Sequence, residues 1–273
     1  MSNGKKAHQL FDLSGRVTLV TGGHRGLGKP ISEAVAEAGS DVMINYPFTE
    51  ERSIAEETEG IISALGVRAE IIRADVTKEA EVESMFDEAK ARFGRLDVLI
   101  NNAGVTSPPA KIHEMAIKDW DQVIKVNLRG TFLCMKCALP IMMNQSGGSI
   151  INVSSVAALR ATDCKFLSIA NYSASKAGLL ALTRQAAADY ASYGIRVNAI
   201  ALGFHGSTSL SAEWKKNWSD EMLREYQAMI RQQTPMGRRG EEEELKGLIV
   251  FLASEASSFI TGQTIVQDGG ISL

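Results

Sequence analysis

The chain has 273 residues, 45% of them hydrophobic and 22% charged, and a formal net charge of −3. No basic excess exists to drive nucleic-acid binding, and no segment reaches the roughly 18 consecutive apolar residues of a membrane span. Three cysteines are too few and too odd in number for a disulfide framework, and no apolar N-terminal run reads as a signal peptide, so a cytoplasmic protein is expected.

Residues 1–13 read as a tail, and 14–273 as a single domain. Candidate strands are "RVTLVTG" (16–22), "DVMINY" (41–46), "AEIIRAD" (69–75), "LDVLINN" (96–102), "SIINVSS" (149–155), "IRVNAIA" (195–201) and "QTIVQDG" (263–269). Helical patterns lie near 26–39, 50–64, 78–93, 117–143, 171–192 and 241–253. Several strands are continuously apolar, as expected where helices cover both faces of a sheet. Strict alternation of strand and helix predicts an α/β fold: one doubly wound Rossmann domain with a seven-stranded parallel sheet.

Directly after the first strand, "TGGHRGLG" (21–28) opens a helix. Glycines here permit a sharp turn and close approach of backbone amides to a pyrophosphate at a helix N-terminus. At the end of the second strand an acid would clamp the ribose of NAD, but Asn45 and Tyr46 stand there. Arg25 in the turn and Arg52 beyond the strand could hold a 2′-phosphate, which favours NADP over NAD. The other reading is that both arginines are solvated and NAD binds without an acidic clamp. "CMKC" places Cys134 and Cys137 in an apolar helical pattern with no second ligand pair, so buried free thiols are expected rather than a metal site. The Glu241–Glu244 run reads as the acidic first turn of a helix.

"YSASK" puts Tyr172 and Lys176 four residues apart, on one helix face. A free tyrosine titrates near 10, and a lysine alongside would favour its phenolate. A serine facing the same point could hydrogen-bond a substrate oxygen as charge develops on it. Ser155 is the candidate, with Ser154 as the fallback. Asn127, inside an apolar helical pattern, needs an amide partner.

These motifs, together with "ADV" (74–76), "NNAG" (101–104), "VNLRG" (126–130), "RVNAIALG" (196–203) and the ending "TGQTIVQDGG", resemble the short-chain dehydrogenase/reductase family over residues 14–273. The resemblance implies a catalytic tetrad of Asn127, Ser155, Tyr172 and Lys176, with Lys176 also holding the nicotinamide ribose and Asn127 anchoring a proton-relaying water. It implies a cofactor-binding set of Gly22, His24, Arg25, Gly26, Leu27 and Gly28 in the turn, and Asn45 and Tyr46 at the second strand. Asp75 and Val76 would lie at the adenine, with Asn102, Ala103 and Gly104 along the cleft. Tyr172, Lys176 and Gly203 would lie at the nicotinamide end, with Ser207 or Thr208 at its amide. No metal is expected.

The implied reaction is hydride transfer between NADP or NAD and a secondary alcohol or ketone, on a sugar, sugar acid or polyol. Alternatives are a 3-oxoacyl-thioester reductase and a nucleotide-binding sensor without turnover. Homodimers or homotetramers are expected, with a small-molecule substrate and neither nucleic acid nor membrane as partner. Two departures stand out. Ser155 lies 17 residues before Tyr172, against about a dozen in the family, so "DCKFLS" is expected to border the substrate pocket. Leu202 replaces the usual proline before Gly203. The insertion 203–237, with Trp214, Trp218 and Met222, is expected to form a substrate lid; the alternative is that its aromatics only pack onto the body or a second subunit.

Overall fold

The computed structural model describes residues 6–206, 215–216 and 218–273. Seven parallel strands run β1 Val17–Val20, β2 Asp41–Tyr46, β3 Ala69–Arg73, β4 Val98–Asn101, β5 Gly148–Ser155, β6 Ile195–Leu202 and β7 Thr264–Gln267, in the order β3-β2-β1-β4-β5-β6-β7. The predicted doubly wound sheet is therefore the one observed. The strand order reverses between β1 and β4, which opens a crevice at their carboxyl ends.

Neighbouring residues on one strand feed opposite cores. Leu19, Leu99 and Ile150 pack with Phe86 and Leu133 beneath α3 (Glu79–Phe93) and α5 (Thr131–Asn144). Val20, Ile100 and Ile151 face Ile31 and Val35 of α1 (Gly28–Glu37) and Ile249 of α8 (Glu244–Ala253). Ile62 of α2 (Arg52–Ser63) joins the second core. Burial on both faces explains the unbroken apolar runs of the central strands.

The helix predicted over 117–143 is interrupted. α4 (Ile117–Ile124) passes into a π-helical segment, Lys125–Gly130, before α5 begins. A Cβ at Gly130 would sit 2.9 Å from the Val76 side chain, so this segment lies tight against the end of β3. Cys134 and Cys137 of α5 are both free, the first buried and the second half-buried, and burial raises both thiols. Residues 7–11 of the expected tail form a 3-10 helix, and Phe11 meets the Phe251 ring of α8 at 6.4 Å. α8 begins at Glu244, so Glu241–Glu243 precede the helix; Glu244 takes the Glu241 N–H at 2.7 Å and pairs with Arg238.

The turn after β1 is built on backbone-to-backbone proximity. Gly22 has φ +59°, and a Cβ on Gly28 would fall 1.9 Å from the Gly22 carbonyl oxygen and 2.8 Å from Asn102 Nδ2. Gly28→Ala should therefore lower unfolding stability by about 2 kcal/mol or more through overpacking, measured by chemical denaturation. An unchanged midpoint would contradict this packing.

Candidate active site

The carboxyl ends of β1, β4, β5 and β6 line one continuous cleft with the glycine turn. Asn45 braces that turn from β2: its Oδ1 accepts the Gly22 N–H at 3.1 Å, and its Nδ2 donates to the Ala74 carbonyl at 2.9 Å. Asn102 performs the same service from β4, donating to the Thr21 and Gly22 carbonyls at 3.1 and 3.2 Å. Gly22, His24, Arg25, Gly26, Leu27, Asp75, Val76, Ala103, Gly104 and Gly203 also border the cleft. Tyr46 does not; it is buried and presents its ring edge to His24 at 6.3 Å. Gly28 lies behind the turn, while Ser207 and Thr208 fall outside the described residues.

Glu51 escaped the sequence analysis. It follows β2 by five residues, yet accepts from Arg25 at 2.7 Å and meets His24 Nε2 at 2.7 Å. Burial lowers the His24 pKa, and the Glu51 carboxylate opposes that shift. The position was legible only as "TEE" after the strand, and nothing local ties it to the turn. Arg52, expected at the nucleotide, instead pairs with Glu56 one helical turn on, at 2.8 Å, and does not border the cleft.

The catalytic candidates converge at the other end. Tyr172 and Lys176 lie on the first turns of α6 (Ala170–Tyr190), whose start is anchored by fully buried Asn171. Asn171 Nδ2 donates to Ser107 Oγ at 2.9 Å and to the Asp119 carbonyl at 3.0 Å, tying α6 to α4; sequence patterning gave no sign of this role. Ser155, the last residue of β5, is hydrogen-bonded to Tyr172. Ser154 Oγ donates to the Lys176 carbonyl at 3.0 Å and is committed to the helix, whereas Ser155 Oγ takes the Ala157 N–H at 3.2 Å and is engaged with Tyr172, so Ser155 rather than the fallback is the hydroxyl at this end of the cleft. Lys176 is 4% exposed, and its ammonium donates to the Val153 carbonyl at 2.8 Å.

Asn127 sits in the π-helical segment. Its amide exchanges two hydrogen bonds with the Val105 backbone, at 2.8 and 2.9 Å, and donates to Ser175 Oγ at 3.1 Å. Asn127 Oδ1 and Lys176 Nζ both lie 3.5 Å from where a Cβ on Gly104 would be, so they face each other across that glycine.

The electrostatics differ from expectation. Enclosure pushes the Tyr172 phenol up to about 12, opposed only by the Ser155 hydrogen bond, and pushes Lys176 down to about 8. The lysine does not lower the tyrosine here. Its ammonium is turned to Val153 and stands 5.6 Å from the Tyr172 ring centre, so desolvation outweighs charge attraction. The arrangement holds a protonated phenol beside a hydroxyl, with a buried cation behind: a proton donor for an oxygen placed between Ser155 and Tyr172.

The loop after Ser155 carries Thr162, Leu167 and Ile169 to the cleft wall. Phe166 turns away and packs at 5.8 Å on Trp218 and 5.7 Å on Tyr226 of α7 (Asp220–Gln233). Lys165 pairs with Glu225 at 2.9 Å. Trp214 lies outside the described residues, and Met222 is exposed.

Residues 22–272 match a family model described as enoyl-(acyl carrier protein) reductase. The chain is 40% identical over 253 residues to a 3-oxoacyl-(acyl-carrier-protein) reductase of Staphylococcus aureus (strain Mu50 / ATCC 700699), covering 93% of this chain and 96% of the relative. A short-chain type dehydrogenase/reductase from Mycobacterium marinum superposes with TM-score 0.88 at 33% identity, covering 97% and 99% of the two chains. A gluconate 5-dehydrogenase from Burkholderia cenocepacia J2315, in complex with NADP and tartrate, gives TM-score 0.88 at 34% identity, covering 98% and 99%. The chain belongs to the short-chain dehydrogenase/reductase family. It is an oxidoreductase of CH–OH and keto groups that works with a nicotinamide nucleotide. The residues present fit that cofactor: side-chain-free backbone at Gly22 and Gly28 for the diphosphate, and a buried ammonium at the far end of the cleft. Among the described residues, no helix is long and apolar enough to cross a membrane.

A buried lysine titrating near 8 makes a signed prediction. Between about pH 8 and 10.5 the unfolded chain holds the Lys176 proton and the folded chain does not, so this residue makes stability rise with pH there. Lys176→Met should remove that rise, melt no lower than wild type at pH 7 and lose about 100-fold or more in turnover. Thermal melts across pH beside steady-state rates check it; a large loss of stability at pH 7 would contradict the desolvation account.

Proposed function

We propose that the chain interconverts a secondary alcohol and a ketone on a sugar, sugar acid or polyol, with Tyr172 as acid and base. The observation that carries this reading is the meeting of Ser155, Tyr172 and Lys176 at the end of the cleft opposite Asp75. A nicotinamide held in this cleft would supply or accept the hydride. Ser155 holds the substrate oxygen, and Tyr172 gives that oxygen its proton in reduction or takes it in oxidation. Lys176 places a positive charge behind the phenol and can reach the nicotinamide ribose. Asn127, facing Lys176 across Gly104, positions a water that restores the proton. The similarity to a gluconate 5-dehydrogenase supports the substrate class. The Staphylococcus aureus relative supports a second reading, reduction of a 3-oxoacyl thioester.

NADP is the proposed nucleotide, with Arg25 as the group that meets its 2′-phosphate. The NADP complex of the gluconate 5-dehydrogenase supports this choice. Glu51 competes for the same guanidinium. The segment 203–237 acts as a lid, supported by the contact of α7 with Phe166 and by Phe204 and Tyr226 at the cleft wall. Homodimers or homotetramers would cover Trp120 and Phe132 on α4 and α5, and Phe259, Val266 and Leu273 near the C-terminus, all of which are exposed.

Four outcomes are expected. Oxidation of NADPH across panels of sugar ketones, keto acids and acetoacetyl-CoA should identify a substrate, and Tyr172→Phe should cut its turnover by about 1000-fold; unchanged turnover would refute the acid–base role. Arg25→Ala should weaken NADP by about tenfold and NAD little, while Glu51→Gln strengthens NADP. Equilibrium titrations with both nucleotides check this, and a native preference for NAD would contradict it.

A further inference from the structure

Among the described residues, Arg239 is the one cleft-wall arginine or lysine on the side of the lid, and neither the hydride-transfer machinery nor the nucleotide turn uses it. It follows α7 in "GRRG", and its guanidinium centre stands 5.7 Å from the ring centres of both Phe204 and Tyr226. Its neighbour Arg238 is fully committed, donating to both carboxylate oxygens of Glu244 at 2.7 and 2.8 Å. Arg239 is not. Its Nε donates to Gln227 Oε1 and its Nη1 to the Gly206 carbonyl, each at a long 3.3 Å, and among the described residues no carboxylate comes within ion-pair distance.

Two loosely held, uncharged acceptors and the Tyr226 hydroxyl engage three of the five guanidinium donors, leaving two for a ligand. The two aromatic rings flank the guanidinium and give it cation–π support on the cleft wall. Asp75, the only carboxylate among the described residues lining the cleft, sits beyond β3 at the opposite edge of the crevice. Among the described residues, Arg239 therefore meets no carboxylate on its own side of the cleft wall.

We propose that Arg239 is the specificity anchor of this enzyme, pairing with a carboxylate on the substrate while the reacting carbon lies at Tyr172. This rests on the hydride-transfer reading and selects within it: the substrate is a polyhydroxy acid or its keto form rather than a neutral sugar or polyol. A planar carboxylate matches the two parallel N–H bonds that the outer edge of the fork offers.

The test measures binding separately from turnover. Calorimetry on the Tyr172→Phe chain saturated with NADP compares D-gluconate with D-glucitol, D-galactonate with galactitol, and glucitol 6-phosphate with D-glucitol. At least one acid should bind about tenfold or more tighter than its alditol; Arg239→Gln should bring that ratio near one, and Arg239→Lys should restore part of it. NADP affinity of Arg239→Gln should stay within about twofold of the parent, which also shows that the variant folds. Equal binding of every acid and its alditol, or a gap that survives Arg239→Gln, would overturn the proposal. So would a gap confined to the phosphate ester, or a parallel fall in NADP affinity, which would assign the guanidinium to the cofactor. Failure of the hydride-transfer reading looks different: the acid binds through Arg239, yet wild-type enzyme does not turn it over.

Discussion

The cleft depends on a charged amine kept almost dry. Lys176 is held inside the protein by one backbone carbonyl, that of Val153 on β5, and its burial pushes it toward neutrality. Holding it there requires α6 to lie flush on β5, with Ser154 bonded to the helix carbonyl and Asn171 fastening the helix start to α4 and the Ser107 loop. Those contacts leave Ser155 and Tyr172 side by side at the sheet edge. The chain gives up stability at one point to keep a phenol, a hydroxyl and a buried amine together at one end of the cleft.

The sheet supplies the rest by topology. Because β1 and β4 send their helices to opposite faces, their carboxyl ends part and leave room for an extended ligand. Asn45 and Asn102 hold the glycine turn from either side, so its backbone stands ready before anything binds. Two segments close the far end. The lengthened loop after Ser155 and helix α7 meet through Phe166, Trp218 and Tyr226, with Lys165–Glu225 at the rim. The loop thus shapes the cleft in two ways: Thr162 and Leu167 face it, while Phe166 fastens it to the helix that brings Tyr226 to the wall.

The strands and most helices were legible in the sequence because burial on both faces writes itself as short apolar runs between helical patterns. Tyr172, Lys176 and the glycine turn were legible because their spacing is local. What was hidden depends on contacts across the fold. Glu51 reaches Arg25 and His24 only because β2 returns beside the turn. The π-helical segment replaced an expected regular helix because Asn127 bonds the Val105 backbone and Gly130 abuts Val76, two constraints no periodicity reveals. The effect of Lys176 on Tyr172 was misjudged for the same reason: spacing gives proximity, but the hydrogen bond to Val153 and the cost of desolvation decide the charge.

The central claim is that this cleft moves a hydride and a proton to the two ends of one carbonyl. Incubating the enzyme with NADPH deuterated at the transferable C4 position and a panel of polyhydroxy ketones and keto acids, then locating the label by mass spectrometry, tests it directly. The account predicts deuterium on the carbinol carbon of at least one product, at a rate that collapses in Tyr172→Phe. Nucleotide bound tightly with no label transferred to any ketone would contradict it and leave a binding protein in place of an enzyme.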